Sequence, residues 1–258
     1  DSPVWRPWVE ALARRHRYVR YDPRGCGLSE RHCADLTLAA WHRDFEAVAE
    51  AVAGTVDGGR FALLGMSQGG ALAVEYAVRH PERVSHLVLF NAYAQGGRVR
   101  ARDDAERLEA EALVNFVRIG WGRENPAFCR FFTHLFLPGG TAEQHRWWGD
   151  LERETATAEV AAETLRQMQG IDVVARCAEV RVPTLVVSCR GDLRVPFEQG
   201  AMLAAAIPAA RFVPLESANH VLLPDEPAWA VFHAALAAFL GDPPPLPAAR
   251  EGGLTGAE

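Results

Sequence analysis

The stretch "FALLGMSQGGALAVEYAVRHPERV", residues 61–84, constrains this chain more than any other. An apolar run of strand length meets a hydroxyl set between glycines, and a helical pattern follows at once. A strand that turns into a helix within a few residues brings backbones close together. Glycines in Gly65-Met66-Ser67-Gln68-Gly69 are therefore expected where a Cβ has no room and where the serine's own φ/ψ is strained. Such a turn exposes the Ser67 hydroxyl and leaves free N–H groups beneath it at the helix N-terminus. The pattern G-x-S-x-G is short; a buried strand before it and a helix after it are the context that gives it chemical meaning.

The rest of the chain supplies a matching frame. Strand-like runs at 18–21, 61–64, 84–90, 184–189 and 212–215 alternate with helical patterns at 9–15, 38–53, 67–79, 198–206 and 227–240. Parallel strands need crossover connections, which helices usually supply, so the alternation predicts an α/β fold: a mostly parallel sheet with helices on both faces. From residue 98 to about 169 the sequence instead becomes charged, helical and rich in large aromatics, among them Phe116, Trp121, Phe132, Phe136 and Trp148. This block is expected to be a helical cap inserted between two strands, over the carboxyl ends where such sheets bind ligands. Most of its aromatics are expected to pack the cap; a few are expected to line an apolar pocket that favours acyl or aromatic groups. Arg118 and Arg123 there are open to two readings, a substrate carboxylate or a solvated helix face. The expected organisation is a core in two parts, 1–96 and 176–241, the cap at 97–175, and a Pro/Gly-rich tail or linker at 242–258.

Composition excludes several classes. With 258 residues and 49% apolar content the chain can bury one sizeable core. Its formal charge is −6, its 27 basic residues are all arginine, and they form no cluster of the kind that tracks phosphates, which argues against nucleic acid as a partner. Five scattered cysteines, Cys26, Cys33, Cys129, Cys177 and Cys189, offer neither a disulfide framework nor zinc-ligand spacing, so a reduced, cytoplasmic protein is expected. No run approaches the ~18 apolar residues of a membrane helix, and no signal pattern opens the chain.

A serine hydroxyl needs a base to become a nucleophile, and the base needs an orienting carboxylate. Of nine histidines, eight read as surface, helix-end or packing residues. His220 in "ESANHVLLPDEP" lies in a loop directly after the last strand-like run, on the same sheet edge as Ser67. Asp192 in "VVSCRGDLRVP" follows the run 184–189 and reaches that edge too; read alone, it caps a turn. Glu198 is a weaker candidate, since it begins a helix. The chain order Ser67, Asp192, His220 is the one expected for a strand-turn-helix nucleophile on such a sheet. Gln68 and Met66, flanking the serine, are the candidates for oxyanion or substrate contact.

Together "YDPRGCGLS", "GMSQGG", "VRVPTLVVSCRGDLRVP" and "SANHVLLPDEP" resemble the α/β-hydrolase superfamily, over nearly all of residues 1–240. The resemblance implies Ser67 as nucleophile, His220 as general base and then acid, Asp192 as orienting carboxylate, and the Gln68 backbone as one oxyanion donor. It gives Asp22 and Arg24 a structural role in the loop after residues 18–21. It implies no cofactor and no metal. In the family a His-Gly type segment gives the second oxyanion N–H; it would precede "SPVWRPW", and the sequence does not contain it. The expected function is hydrolysis of a carboxylic ester, lactone or thioester, a small-molecule acyl substrate, through an acyl-enzyme. Peptidase, carbon-carbon hydrolase and cofactor-free haloperoxidase chemistry use the same triad. A different class is a ligand-sensing module of a longer regulatory protein, in which the tail leads to a C-terminal neighbour domain.

Overall fold

A computed structural model describes residues 2–123 and 126–242. Four parallel strands, β1 (Phe61–Met66), β2 (Val84–Phe90), β3 (Thr184–Cys189) and β4 (Arg211–Leu215), form one sheet in the order β1-β2-β3-β4. Two of the three crossovers are simple: α3 (Gly69–Arg79) joins β1 to β2, and α10 (Phe197–Ala206) joins β3 to β4. α1 (Trp5–Ala13) and α2 (Leu38–Ala53) precede the sheet, and α11 (Pro227–Leu240) follows it.

Period-two alternation decides which helices cover which face. Leu87 and Leu89 of β2 and Val186 of β3 join a core with Ala49 of α2, Val74 and Tyr76 of α3, and Leu203 of α10. Val88, Phe90, Leu185 and Val187 point the other way, into a core with Trp8 and Leu12 of α1 and Phe232 and Leu236 of α11. Both faces are thus covered, and every residue of β3 is buried. The four consecutive buried apolar residues Leu87 to Phe90 of β2 are what a sheet covered on both sides requires.

The third crossover is long. Between β2 and β3 run α4 (Gly97–Arg100), α5 (Asp104–Gly120), α6 (Pro126–Phe136), α7 (Ala142–Thr155), α8 (Ala158–Gln169) and α9 (Val174–Cys177). Asp103, Thr141 and Thr157 cap α5, α7 and α8 through their side chains, which fixes where each helix starts. α5, α6 and α8 share a separate small core of Val114, Val117, Phe132, Ala162 and Leu165.

The strand expected at 18–21 does not form. That segment is not hydrogen-bonded into the sheet, whose β1 edge pairs only with β2, and Tyr18 and Val19 are exposed. A strand is defined by its partner, and β propensity alone creates none. The loop after it is ordered as expected: Asp22 accepts the Leu28 amide at 3.0 Å, and Arg24 holds Asp44 through two hydrogen bonds of 2.6 and 2.7 Å. The stretch 243–258, most of the expected tail, lies outside the described residues. Among the described residues no helix is long and apolar enough to cross a membrane.

Candidate active site

The carboxyl ends of the parallel strands converge on one edge, and the sequence candidates lie on it. Ser67 follows β1 with φ = 53°, a left-handed conformation that a non-glycine residue rarely adopts, yet the turn does not leave it exposed as expected, since the residue is only 9% exposed. Its amide donates to the Phe90 carbonyl at the end of β2 (3.1 Å), which ties the strained residue to the neighbouring strand. A Cβ on Gly65 would stand 2.8 Å from Ala73 Cβ, Gly69 O and Gly70 Cα, so this glycine is sterically required. Gly69, the other glycine of the motif, has nothing within 4 Å of such an atom; the tight place is Gly70, where a Cβ would lie 2.4 Å from that of Ala92. The expectation that both motif glycines relieve crowding is thus corrected: helix α3 meets the sheet one residue later. The Gln68 amide, at the start of α3, donates to no described backbone acceptor.

Asp192 and His220 come together from the loops after β3 and β4. His220 Nδ1 lies 2.7 Å from Asp192 Oδ2, and both side chains are almost wholly buried. Asp192 Oδ1 accepts the amides of Arg194 (2.8 Å) and Val195 (3.1 Å), so the carboxylate is held at both oxygens. A carboxylate at Nδ1 leaves Nε2 as the nitrogen able to accept a proton. His220 Nε2 is buried without a hydrogen-bond partner. An idle buried polar nitrogen costs about 1–3 kcal/mol, a cost expected where a reacting group is to be received. Ser67 Oγ does not hydrogen-bond to it in this structure. Met66 ends β1 opposite Phe90, and its side chain packs on the α1/α11 core. Glu198 sits exposed in the first turn of α10.

Three residues whose part in the site the sequence did not disclose hold His220 in place. Asn91, directly after β2 with φ = 42°, donates from Nδ2 to the His220 carbonyl (2.8 Å) and accepts the Cys189 amide at Oδ1 (2.8 Å). Glu226 gathers the rest of the loop, accepting from Ser217 Oγ (2.5 Å), Asn219 Nδ2 (3.1 Å) and the Leu223 amide (2.6 Å). Phe136, the last residue of α6, accepts the His220 amide on its carbonyl (2.9 Å), and its ring meets the imidazole edge at 5.4 Å. An asparagine just past a strand, in "LFNAY", was the one available signal, because Asn tolerates the left-handed region; the roles of Glu226 and Phe136 depend on contacts distant in sequence.

A cavity of about 480 Å³ adjoins this edge. It meets the turn at Gln68 and Gly69 and is walled by α5 to α8, through Trp121, Phe132, Phe136 and Trp148 among others. Phe116, Phe128 and Phe131 instead stack on one another outside it. Glu152 of α7 is buried in the wall and accepts a hydrogen bond from Trp148 Nε1 (3.0 Å). Burial pushes its carboxyl up to about 8, so it is largely protonated at neutral pH. Among the described residues no group of three or more His, Cys, Asp or Glu is placed to hold a metal.

Known proteins resemble this chain in sequence and fold. The family model described as "alpha/beta hydrolase fold" matches residues 1–227. The chain is 28% identical over 242 residues to a protein of Azorhizobium caulinodans named "Putative carbamate hydrolase RutD", covering 92% of this chain and 86% of that one. It is also 28% identical over 224 residues to the pimeloyl-[acyl-carrier protein] methyl ester esterase of Nitrosomonas europaea (85% and 84% covered). The solved enol-lactonase of Burkholderia xenovorans LB400 superposes with a TM-score of 0.65 at 26% identity, covering 94% of this chain and 89% of that one. A parallel sheet with helices on both faces, a strained serine turn after one strand and a family match over nearly the whole described chain agree: the protein belongs to the α/β hydrolase fold family.

Proposed function

We propose that the protein is a serine hydrolase that cleaves a carboxylic ester, or the related lactone or thioester, through an acyl-enzyme. The observation that carries this reading is the buried His220 to Asp192 pair with Nε2 unpartnered, on the sheet edge that also bears the strained Ser67. Ser67 Oγ attacks the carbonyl carbon as its proton passes to His220 Nε2; the Nδ1–H remains donated to Asp192, which stabilises the imidazolium. The Gln68 amide stabilises the oxyanion. Collapse of the tetrahedral species breaks the bond to the leaving oxygen or sulfur, which takes the proton back from Nε2. Water then attacks the acyl-enzyme with His220 again as base, releasing the acid and restoring Ser67.

The helices between β2 and β3 act as a cap over this site, and the aromatic wall of the cavity suits an apolar acyl or alcohol group. The names of the relatives support the class: carbamate hydrolase, methyl ester esterase and enol-lactonase all denote attack at an acyl carbon bonded to a heteroatom. The test is release of p-nitrophenol from short-chain esters by wild type and by Ser67→Ala. The reading expects turnover in the first and loss of at least ~10⁴-fold in the second; equal rates would overturn it.

A further inference from the structure

The cavity wall is mostly apolar, yet it carries four side chains of the types ordinarily charged at neutral pH: Arg24, Asp44, Glu152 and Arg194. Arg24 and Asp44 neutralise each other through their paired hydrogen bonds. Glu152 is held largely neutral by burial. Arg194 remains. Among the described residues its guanidinium has no carboxylate partner, and it rests over the ring of Phe136, 5.9 Å from the centroid. The cavity therefore presents one uncompensated positive charge, two residues beyond Asp192, on the ring that meets His220.

A second cation strengthens the case. Arg100, half-buried at the end of α4, donates among the described residues to the Gln95 carbonyl (3.1 Å) alone, and burial and the charge on Arg194 both act against its cation. Glu106 also acts on Arg100, but it is held by Arg102 through side chain and backbone. Arg194 at the cavity wall thus also acts on a second cation behind it, Arg100, whose neighbouring acid is engaged elsewhere, and an anion bound at Arg194 would relieve that repulsion. Guanidinium binds carboxylate as a fork, with two parallel N–H···O bonds.

We propose that the substrate is an acid-bearing ester or lactone whose free carboxylate, a few bonds from the scissile carbonyl, is held by Arg194; this rests on the serine-hydrolase reading. Arg118, which the sequence also offered for this role, is exposed on α5 and does not line the cavity.

The probes are monomethyl adipate and dimethyl adipate, which differ in one carboxylate. Wild type is expected to favour the half-ester in kcat/KM by ~10- to 100-fold, the range of a charge-assisted hydrogen bond in a dry site. Arg194→Gln should bring the ratio near one, mainly through KM, and Arg194→Lys should restore part of it. A wild type that cleaves both esters with equal kcat/KM overturns the acid-bearing substrate and leaves the hydrolase reading standing. If wild type cleaves neither, and Ser67 takes no fluorophosphonate, the hydrolase reading fails. The carboxylate site is then judged by titrating monomethyl adipate against the fluorescence of the wall residues Trp121 and Trp148. Saturation in wild type that Arg194→Gln abolishes supports it, and no saturation in wild type overturns it.

Discussion

The layered sheet and the helical block between β2 and β3 obey different rules. In the sheet, each strand is fixed by two neighbours and two covering layers, so a change of one residue in register would turn Val88 and Phe90 out of one core and into the other. In the block, helices meet through a small core of their own and through aromatic stacking. The sheet places Ser67, Asp192 and His220; the block shapes the cavity. They are not independent, because the Phe136 carbonyl at the end of α6 holds the His220 amide, and the Gly139 amide donates to Asn219 Oδ1 at 2.9 Å. The insertion thus helps to hold the imidazole it covers.

That comparison can be broken most forcefully at the sheet edge. Replacing Asp192 with Asn keeps the shape but removes the charge that fixes the His220 tautomer; we expect kcat to fall by about 10⁴-fold with little change in melting temperature. A loss below tenfold in esterase assays would mean that the buried pair does not serve the reaction. Next in size are the turn glycines. Gly65→Ala must displace the backbone of Gly69 and Gly70, and is expected to cost ~3 kcal/mol or more in denaturant unfolding. Gly69→Ala, with open space around it, is expected within about 0.5–1 kcal/mol of wild type and on the stabilising side, as alanine favours a helix start over glycine.

In the helical block the sharpest probe is Glu152. Its carboxyl ionises near pH 4.5 when unfolded and at about 8 when folded, so between those values the native state keeps a proton that the unfolded chain has released. Stability must then fall as pH rises from about 4.5 to 8, and level off above. At about 1.4 kcal/mol per pKa unit, Glu152→Gln should gain on the order of 3 kcal/mol at pH 7 relative to wild type, and little at pH 4. Melting temperatures measured across that range check it; a difference independent of pH would show that the carboxyl is not held neutral. The smallest effect expected is at the joint between the two regions. Asn219→Ala removes the bonds to Gly139 and Glu226 and should lower kcat by ~10-fold with KM nearly unchanged, since it loosens the His220 loop without touching the cavity wall.

The same contrast explains what the sequence disclosed. The strands at 84–90 and 184–189 and the helix at 227–240 were legible to the residue, since length, β-branched content and flanking turn residues separate a short buried strand from a long apolar helix. The pairing of Asp192 with His220 was legible from the order of loops on strand ends. The run at 18–21 was misread because strand propensity says nothing about a partner. The aromatics of the block were legible only as a group: Phe132 and Phe136 face the cavity while Phe131, one residue away, is exposed. Helical spacing shows that a face is apolar but not what it meets. Arg194 and Glu152 were invisible for a stronger reason, since an unpaired cation and a neutral acid are defined by neighbours distant in sequence.

The central claim is that Ser67 is the nucleophile, set by its strained turn on the sheet edge and served by His220. The most direct measurement is labelling of the intact protein with a fluorophosphonate, followed by mass spectrometry of the peptide that contains residue 67. The account expects one adduct on Ser67, suppressed by a short-chain ester and slowed at least a hundredfold in His220→Ala. Labelling elsewhere, no labelling, or an unchanged rate in His220→Ala would contradict it.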